Sequence, residues 1–245
     1  MNALAVIPAR YGSTRLPGKP LLARTGKALI EHVLERVQRA KRVSRAVVAT
    51  DDERIAEAVS GFGGHAVMTR ADHPNGTSRI AEVVAGMAVD ESQLVVNVQG
   101  DEPEVEPAVI DELIAALIAD AEAPMATLAS DFAPDEDPAD PNIVKVVLDR
   151  HGRALYFSRS VIPYDRDGRG AAVLKHPGLY AYRRDFLLEY ASLPATPLEQ
   201  AEQLEQLRAL EHGYKIAVHR TVVAHHGIDT PEQYAAFVQR MGKSG

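Results

Sequence analysis

Two hydrophobic patterns take turns through the first half of the chain: short unbroken apolar runs, and stretches in which apolar residues return every three or four positions. Leu4-Ala5-Val6-Ile7 (closed by Pro8), Ala46-Val47-Val48-Ala49, Ala66-Val67-Met68 and Leu94-Val95-Val96-Asn97-Val98 lack polar alternation, as expected of strands covered on both faces. Between them Ile30, Val33, Leu34 and Val37, then Ile55, Val59 and Phe62, then Ile80, Val83, Val84 and Met87 fall at helical spacing. A fourth such set is Ile110, Leu113, Ile114, Leu117 and Ile118, followed by a strand over 125–128. Asp51 or Asp52 is placed to cap the second helix, and Gly61, Gly63 and Gly64 to end it. Buried strands alternating with helices predict an α/β fold with a mainly parallel central sheet and helices on both faces.

The pattern changes after residue 130. Segments 142–148 and 154–158 alternate like half-exposed strands about Arg150-His151-Gly152, a hairpin signal. Strands are expected over 178–182 and 215–223. Thr196, Pro197 and Glu199 start a helix carrying Leu204, Leu207 and Leu210 and ending at Gly213, and Thr230-Pro231-Glu232-Gln233 opens the last helix in the same way. The acid- and proline-rich stretch 133–141 and the stretch 164–170 read as loops. These features predict one domain over 1–245 with two halves, 1–130 and a smaller, hairpin-containing 131–245.

Composition narrows the function. The chain has no cysteine, which removes disulfides, thiolate metal sites and cysteine nucleophiles together. No apolar run approaches the ~18 residues that span a bilayer. The opening MNALAVIPAR puts its apolar stretch before its arginine, the reverse of a secretory signal, so a soluble cytoplasmic protein without a membrane partner is expected. A net charge of −7 argues against nucleic acid. Residues 1–30 nevertheless hold five cations (Arg10, Arg15, Lys19, Arg24, Lys27) and no carboxylate before Glu31, a local surplus that points to a small, strongly anionic ligand.

In open α/β sheets ligands sit beyond the carboxyl ends of the strands. After the first strand, residues 8–20 bring Arg10, Arg15 and Lys19 into one Gly- and Pro-punctuated loop, suited to a polyphosphate or, more plainly, an ordinary basic surface loop. It is not a Walker A loop, because five residues separate Gly12 from Gly18 and Pro20 stands where a hydroxyl should bind magnesium. After the fourth strand, Asp101 follows Gln99-Gly100, placed to ligate Mg²⁺ or to form a turn. Asp229 reads first as an N-terminal cap and only second as a ligand. His73-Pro74-Asn75-Gly76-Thr77-Ser78-Arg79 is a helix start that can also meet a base or phosphate. The pair His225-His226 is unassigned surface.

Taken together, IPARYGSTRLPGKPL (7–21), VATD (48–51), MTRADHPNGTSRIAEV (68–83), VVNVQGDEP (95–103), NIVKVVLD (142–149), ALYFSRSVIPYDRD (154–167), HPGLYAYR (176–183), PLEQAEQLEQLR (197–208) and GIDTPEQ (227–233) resemble the 3-deoxy-manno-octulosonate (Kdo) cytidylyltransferases, or CMP-Kdo synthetases. Pro177 stands where an aliphatic residue is common, Gln233 replaces an acid, and the 164–175 loop is short. The resemblance implies a nucleotidyltransferase-type fold, a homodimer, and Mg²⁺-dependent transfer of CMP from CTP to the anomeric hydroxyl of Kdo for lipopolysaccharide assembly, with 1–130 as the nucleotide-binding half and 131–245 as the sugar-binding and dimerisation half. Arg10, Lys19, Asp101 and Asp229 would then be catalytic, with Asp101 and Asp229 holding the metal. Ala9, Arg10, Gly12, Ser13, Arg15, Lys19, Asn75, Gly76, Thr77, Arg79 and Asp101 would bind the nucleotide. Gln99, Arg159, His176, Tyr180, Tyr182, Glu205 and Gln206 would surround the sugar acid. Rival readings are an enzyme for 8-amino-Kdo, sialic acid or a sugar 1-phosphate, and a non-catalytic nucleotide-binding protein.

Overall fold

The computed structural model describes residues 2–12, 16–91, 93–222 and 227–242. The chain divides into two compact units, Met1–Asp111 with His225–Gly245, and Glu112–Ala224. Sequence order alone divides it at 130/131; in the structure the border falls after Asp111, and the C-terminal segment returns to the first unit.

In the first unit β1 (Ala3–Ala9) pairs in parallel with β2 (Val43–Thr50) along its whole length, and with β4 (Leu94–Asn97) over Leu4–Val6. β3 (Ala66–Met68) extends the sheet on β2, also parallel, giving the order β3-β2-β1-β4. Residues Ala3 to Ile7 are fully buried, as an unbroken apolar run requires. The connecting helices are α1 (Leu29–Gln38), α2 (Glu53–Gly61) and α3 (Gly76–Ala85), and α4 (Pro107–Ala119) runs across the border. Asp52, not Asp51, caps α2 by accepting from Arg54 N, and Asn75 caps α3 by accepting from Ser78 N at 2.9 Å.

The second unit contains β5 (Met125–Asp131), β6 (Lys145–Leu148), β7 (Ala154–Ser158), β8 (Leu174–Lys175), β9 (Tyr180–Arg183), α5 (Arg184–Tyr190), α6 (Pro197–Glu202), α7 (Gln206–Glu211) and β10 (Ile216–Arg220). Its sheet is mixed: β10 is parallel to β5, while β9 and β8 pair antiparallel with β5, and β6 with β8 and β7. The β6–β7 hairpin turns where expected, with Asp149 Oδ1 accepting from both His151 N and Arg153 N at 2.8 Å.

Several elements are shorter than their patterns predict. The strand expected from 142 begins only at Lys145, because Asp140 Oδ1 takes Asn142 N (2.8 Å) into a local turn. The strand expected from 178 begins at Tyr180, after Leu179 N bonds Pro177 O, and the one expected over 215–223 spans Ile216–Arg220. The helix expected to run from Pro197 past Leu210 breaks at Gln203, which is left-handed (φ 53°) and whose Nε2 donates to Gln200 O. A glutamine in that conformation carries no sequence signature of a helix end.

The C-terminal segment closes the first unit. α8 (Pro231–Gly242) buries Tyr234 and Phe237 against Leu29 and Ile228. Its cap is Thr230, whose Oγ1 accepts from Gln233 N, while Gln233 Oε1 accepts from Asp229 N and Thr230 N. Asp229 is therefore not the cap, and its carboxylate pairs with Lys19 instead.

Candidate active site

Three segments of the first unit crowd together beyond the carboxyl ends of β1 and β4. A side chain at Gly100 would put its Cβ 2.9 Å from Pro8 O, so glycine is what lets the two strand ends approach. Gly76, at the first turn of α3, lies against the Pro8 ring, with Gln99 Nε2 next nearest. Gln99 Nε2 donates to Asn97 Oδ1 at 3.1 Å.

The loop leaving β1 returns to the site through a 3-10 turn over Lys19–Leu21. Gly18 enters it left-handed (φ 65°), packed so closely on the Tyr11 ring that a Cβ would come within 3.2 Å of the hydroxyl. Gly18 N bonds Tyr11 O and Lys19 N bonds Leu16 O, both at 3.2 Å, which fixes the main chain under Lys19. The Tyr11 ring is faced in turn by the Arg54 guanidinium, 3.4 Å from its centroid. Neither Tyr11 nor Arg54 stands out by sequence, because their pairing joins the first loop to α2.

Lys19 Nζ lies between two carboxylates, 2.7 Å from Asp101 Oδ2 and 3.0 Å from Asp229 Oδ1. Its side chain is 12% exposed. Burial pushes the Asp101 carboxyl above its ordinary range, and the Lys19 ammonium opposes that rise. Thus Lys19, Asp101 and Asp229, far apart in sequence, meet at one point. Among the described residues no cluster of three or more His, Cys, Asp or Glu side chains is placed to hold a metal. Two converging carboxylates do fit Mg²⁺, which takes hard oxygens and commonly keeps only one or two from protein.

The other expected nucleotide residues are placed unevenly. Ala9 is buried beside Gly100, and Arg10 and Gly12 are exposed on the loop. Ser13 and Arg15, like His225 and His226, lie outside the described residues. Asn75, Gly76 and Thr77 form the first turn of α3, with Thr77 buried. Arg79 is turned inward: only 5% exposed, its Nη1 bonds Thr69 Oγ1 and Arg70 O and lies 3.3 Å from Asp51 Oδ1. That guanidinium ties the ends of β2 and β3 to α3.

Of the expected sugar-acid residues, Gln99 belongs to the first unit and the other six to the second. Alternation along β9 puts Tyr180 and Tyr182 on one face. Their rings continue a file that runs Phe157, His176, Tyr180, Tyr182, Tyr190, with successive centroids 4.8, 5.5, 6.0 and 6.2 Å apart. Tyr190 OH donates to Glu205 O at 2.5 Å, fixing the start of α7. Gln206 is buried, and its Nε2 has no hydrogen-bond partner among the described residues. The Arg159 guanidinium is spent on main-chain carbonyls, Nε to Glu202 O (2.7 Å) and Nη1 to Pro141 O (2.8 Å), so it clasps the end of α6.

His176 has a defined tautomer. Thr127 Oγ1 gives its only proton to Leu179 O (2.7 Å), so the 2.8 Å contact to His176 Nε2 requires the imidazole N–H to donate. Nδ1 is then left as an acceptor. Burial pushes this histidine down to about 3. Because the folded-state pKa lies below the unfolded one, its contribution to stability is complete above about pH 6.5 and is lost as pH falls toward 3. Urea unfolding of the wild type is expected to lose about 2 kcal/mol between pH 7 and pH 5 through this group. His176→Gln removes that part of the loss; an equal loss in both proteins would contradict the burial of a neutral imidazole.

A family model described as cytidylyltransferase matches residues 4–216. A 3-deoxy-manno-octulosonate cytidylyltransferase of Geobacter metallireducens is 51% identical over 255 residues, covering 99% of either chain. One from Syntrophobacter fumaroxidans is 53% identical over 240 residues, covering 97% of this chain and 96% of its own. Among solved structures, a CMP:2-keto-3-deoxy-manno-octonic acid synthetase complexed with CTP matches at TM-score 0.94 and 45% identity over 100% of both chains. On identity of this order along its whole length, the chain belongs to the 3-deoxy-manno-octulosonate cytidylyltransferase family.

Proposed function

We propose that the protein transfers CMP from CTP to the anomeric hydroxyl of Kdo and releases pyrophosphate. The observation that carries this reading is the meeting of Lys19, Asp101 and Asp229 at the strand ends of a cytidylyltransferase chain. In the reaction the sugar oxygen bonds to the α-phosphorus as the bond to pyrophosphate breaks. The chain needs no covalent nucleophile, and its task is to position the reactants and neutralise charge. Arg10 and Lys19 stand on the loop that would meet the triphosphate. Asp101 and Asp229 would hold Mg²⁺, which when bound supplies positive charge at the phosphates and favours ionisation of the attacking hydroxyl.

For the acceptor, the second unit offers groups suited to a polyhydroxylated acid: the neutral His176 with an acceptor at Nδ1, the Tyr180 hydroxyl, which burial keeps protonated, and the Gln206 amide nitrogen, which has no hydrogen-bond partner among the described residues. A homodimer goes with this reading, supported by the exposed apolar side chains Leu155, Val161 and Tyr164 in the second unit. So does a place in lipopolysaccharide synthesis, in the cytoplasm. No helix among the described residues is long and apolar enough to cross a membrane.

The test is to mix the purified protein with CTP, Mg²⁺ and Kdo, following pyrophosphate release and the mass of the product, with 8-amino-Kdo and sialic acid in parallel. CMP-Kdo as the dominant product is expected. Faster turnover of another acid would reassign the acceptor. A folded protein that binds CTP and turns over none of them would leave nucleotide binding alone.

A further inference from the structure

Lys19 lies in the space where the two candidate metal ligands converge. We propose that its ammonium is the resident cation of Asp101 and Asp229, holding both carboxylates while substrates are absent and competing with the divalent ion for them, and that it leaves them only when nucleotide phosphates offer another anion. This rests on the metal role proposed above for the two aspartates.

Three observations carry it. Both carboxylates are within 3.0 Å of Nζ, so a second cation cannot occupy the point between them while Lys19 is there. The main chain at Lys19 is held by Gly18 against Tyr11, by the Lys19 N–Leu16 O bond and by the buried Pro20, so a change of station is a motion of the side chain alone. A lysine stem has the rotatable bonds for such a swing and presents a point charge that phosphate accepts as readily as carboxylate. The consequence is a coupling of sites: nucleotide draws Lys19 away and so strengthens metal binding, and by reciprocity metal strengthens nucleotide binding, beyond direct contact between the two ligands.

Mn²⁺ is the probe, titrated by electron paramagnetic resonance into the nucleotide-free protein. Lys19→Met is expected to bind Mn²⁺ about tenfold more tightly than the wild type, since a competing charge at hydrogen-bond distance is gone. Mn²⁺ is also expected to raise the unfolding temperature of the variant more than that of the wild type. Lys19→Gln, which keeps a donor without the charge, is measured alongside, so a poorly folded Met variant does not end the test. Equal or weaker Mn²⁺ binding in the lysine variants overturns the proposal. The underlying metal reading is examined separately through Mn²⁺·CTP binding in Asp101→Asn. If that binding depends on Asp101 while the lysine variants show no gain, the competition falls and the metal site stands. If Mn²⁺·CTP binding ignores Asp101, the metal site itself falls. A gain in Lys19→Met that survives the added Asp101→Asn places the ion elsewhere and also overturns the proposal.

Discussion

Asp101→Asn is expected to leave the fold standing and to lower turnover by about a hundredfold or more. The substitution is nearly isosteric, and the amide oxygen can still accept from Lys19, whose Nζ is 2.7 Å from Asp101 Oδ2. What disappears is a negative charge that would help hold Mg²⁺ against the phosphates. Stability should move the other way or not at all. Burial already disfavours the ionised form of this carboxyl, so a neutral amide is easier to keep there. A variant with unchanged unfolding temperature and collapsed turnover is therefore the expected pair of results. Near-wild-type turnover would remove Asp101 from the catalytic set.

Lys145→Met is expected to have the largest effect on stability. Lys145 is fully buried at the start of β6, and its ammonium donates to Asp140 O (3.0 Å), Ile143 O (2.7 Å) and Arg159 O. Burial lowers its pKa, with the nearby Asp140 opposing. Methionine fills most of the volume and leaves three partly buried carbonyls without the ammonium, at a cost of about 3 kcal/mol. Equilibrium urea unfolding measures the difference; a change below about 0.5 kcal/mol would mean that water replaces the ammonium, the ordinary result for a surface position. The Kdo KM is expected to rise as well, because the same contacts hold the 140–143 turn and the Arg159 main chain.

These two residues mark how far the sequence is legible. The parallel strands of the first unit are plain in it, because a strand buried on both faces must be apolar without interruption, and Lys19 and Asp101 follow from the rule that ligands gather at strand ends. Asp229 is different. Local pattern makes it a helix cap, and only the family resemblance offers it as a ligand; in the structure Thr230 and Gln233 do the capping, and the Asp229 carboxylate meets Lys19. Lys145 is illegible for a physical reason. In an alternating strand a lysine reads as the outward position, and what buries it is a set of carbonyls from a turn and from a strand end. Arg79 and Arg159 show the same limit: a cation near a site reads as a ligand for substrate, while in the fold each spends donors on protein oxygens. The break at Gln203 is hidden likewise, because the clasp that helps hold it comes from Arg159.

The return of the C-terminal segment to the first unit has a consequence for synthesis on the ribosome. Lys19 and Asp101 are made before the second unit, whereas Asp229 and the α8 side chains that cover Leu29 are made only after the whole of it. Until then the nascent first unit carries an open apolar patch at Leu29 and only one of its two aspartates. A chain cut short anywhere between residues 112 and 228 thus has its opening sheet and Lys19 with Asp101, but not the second carboxylate that Lys19 meets in the complete fold.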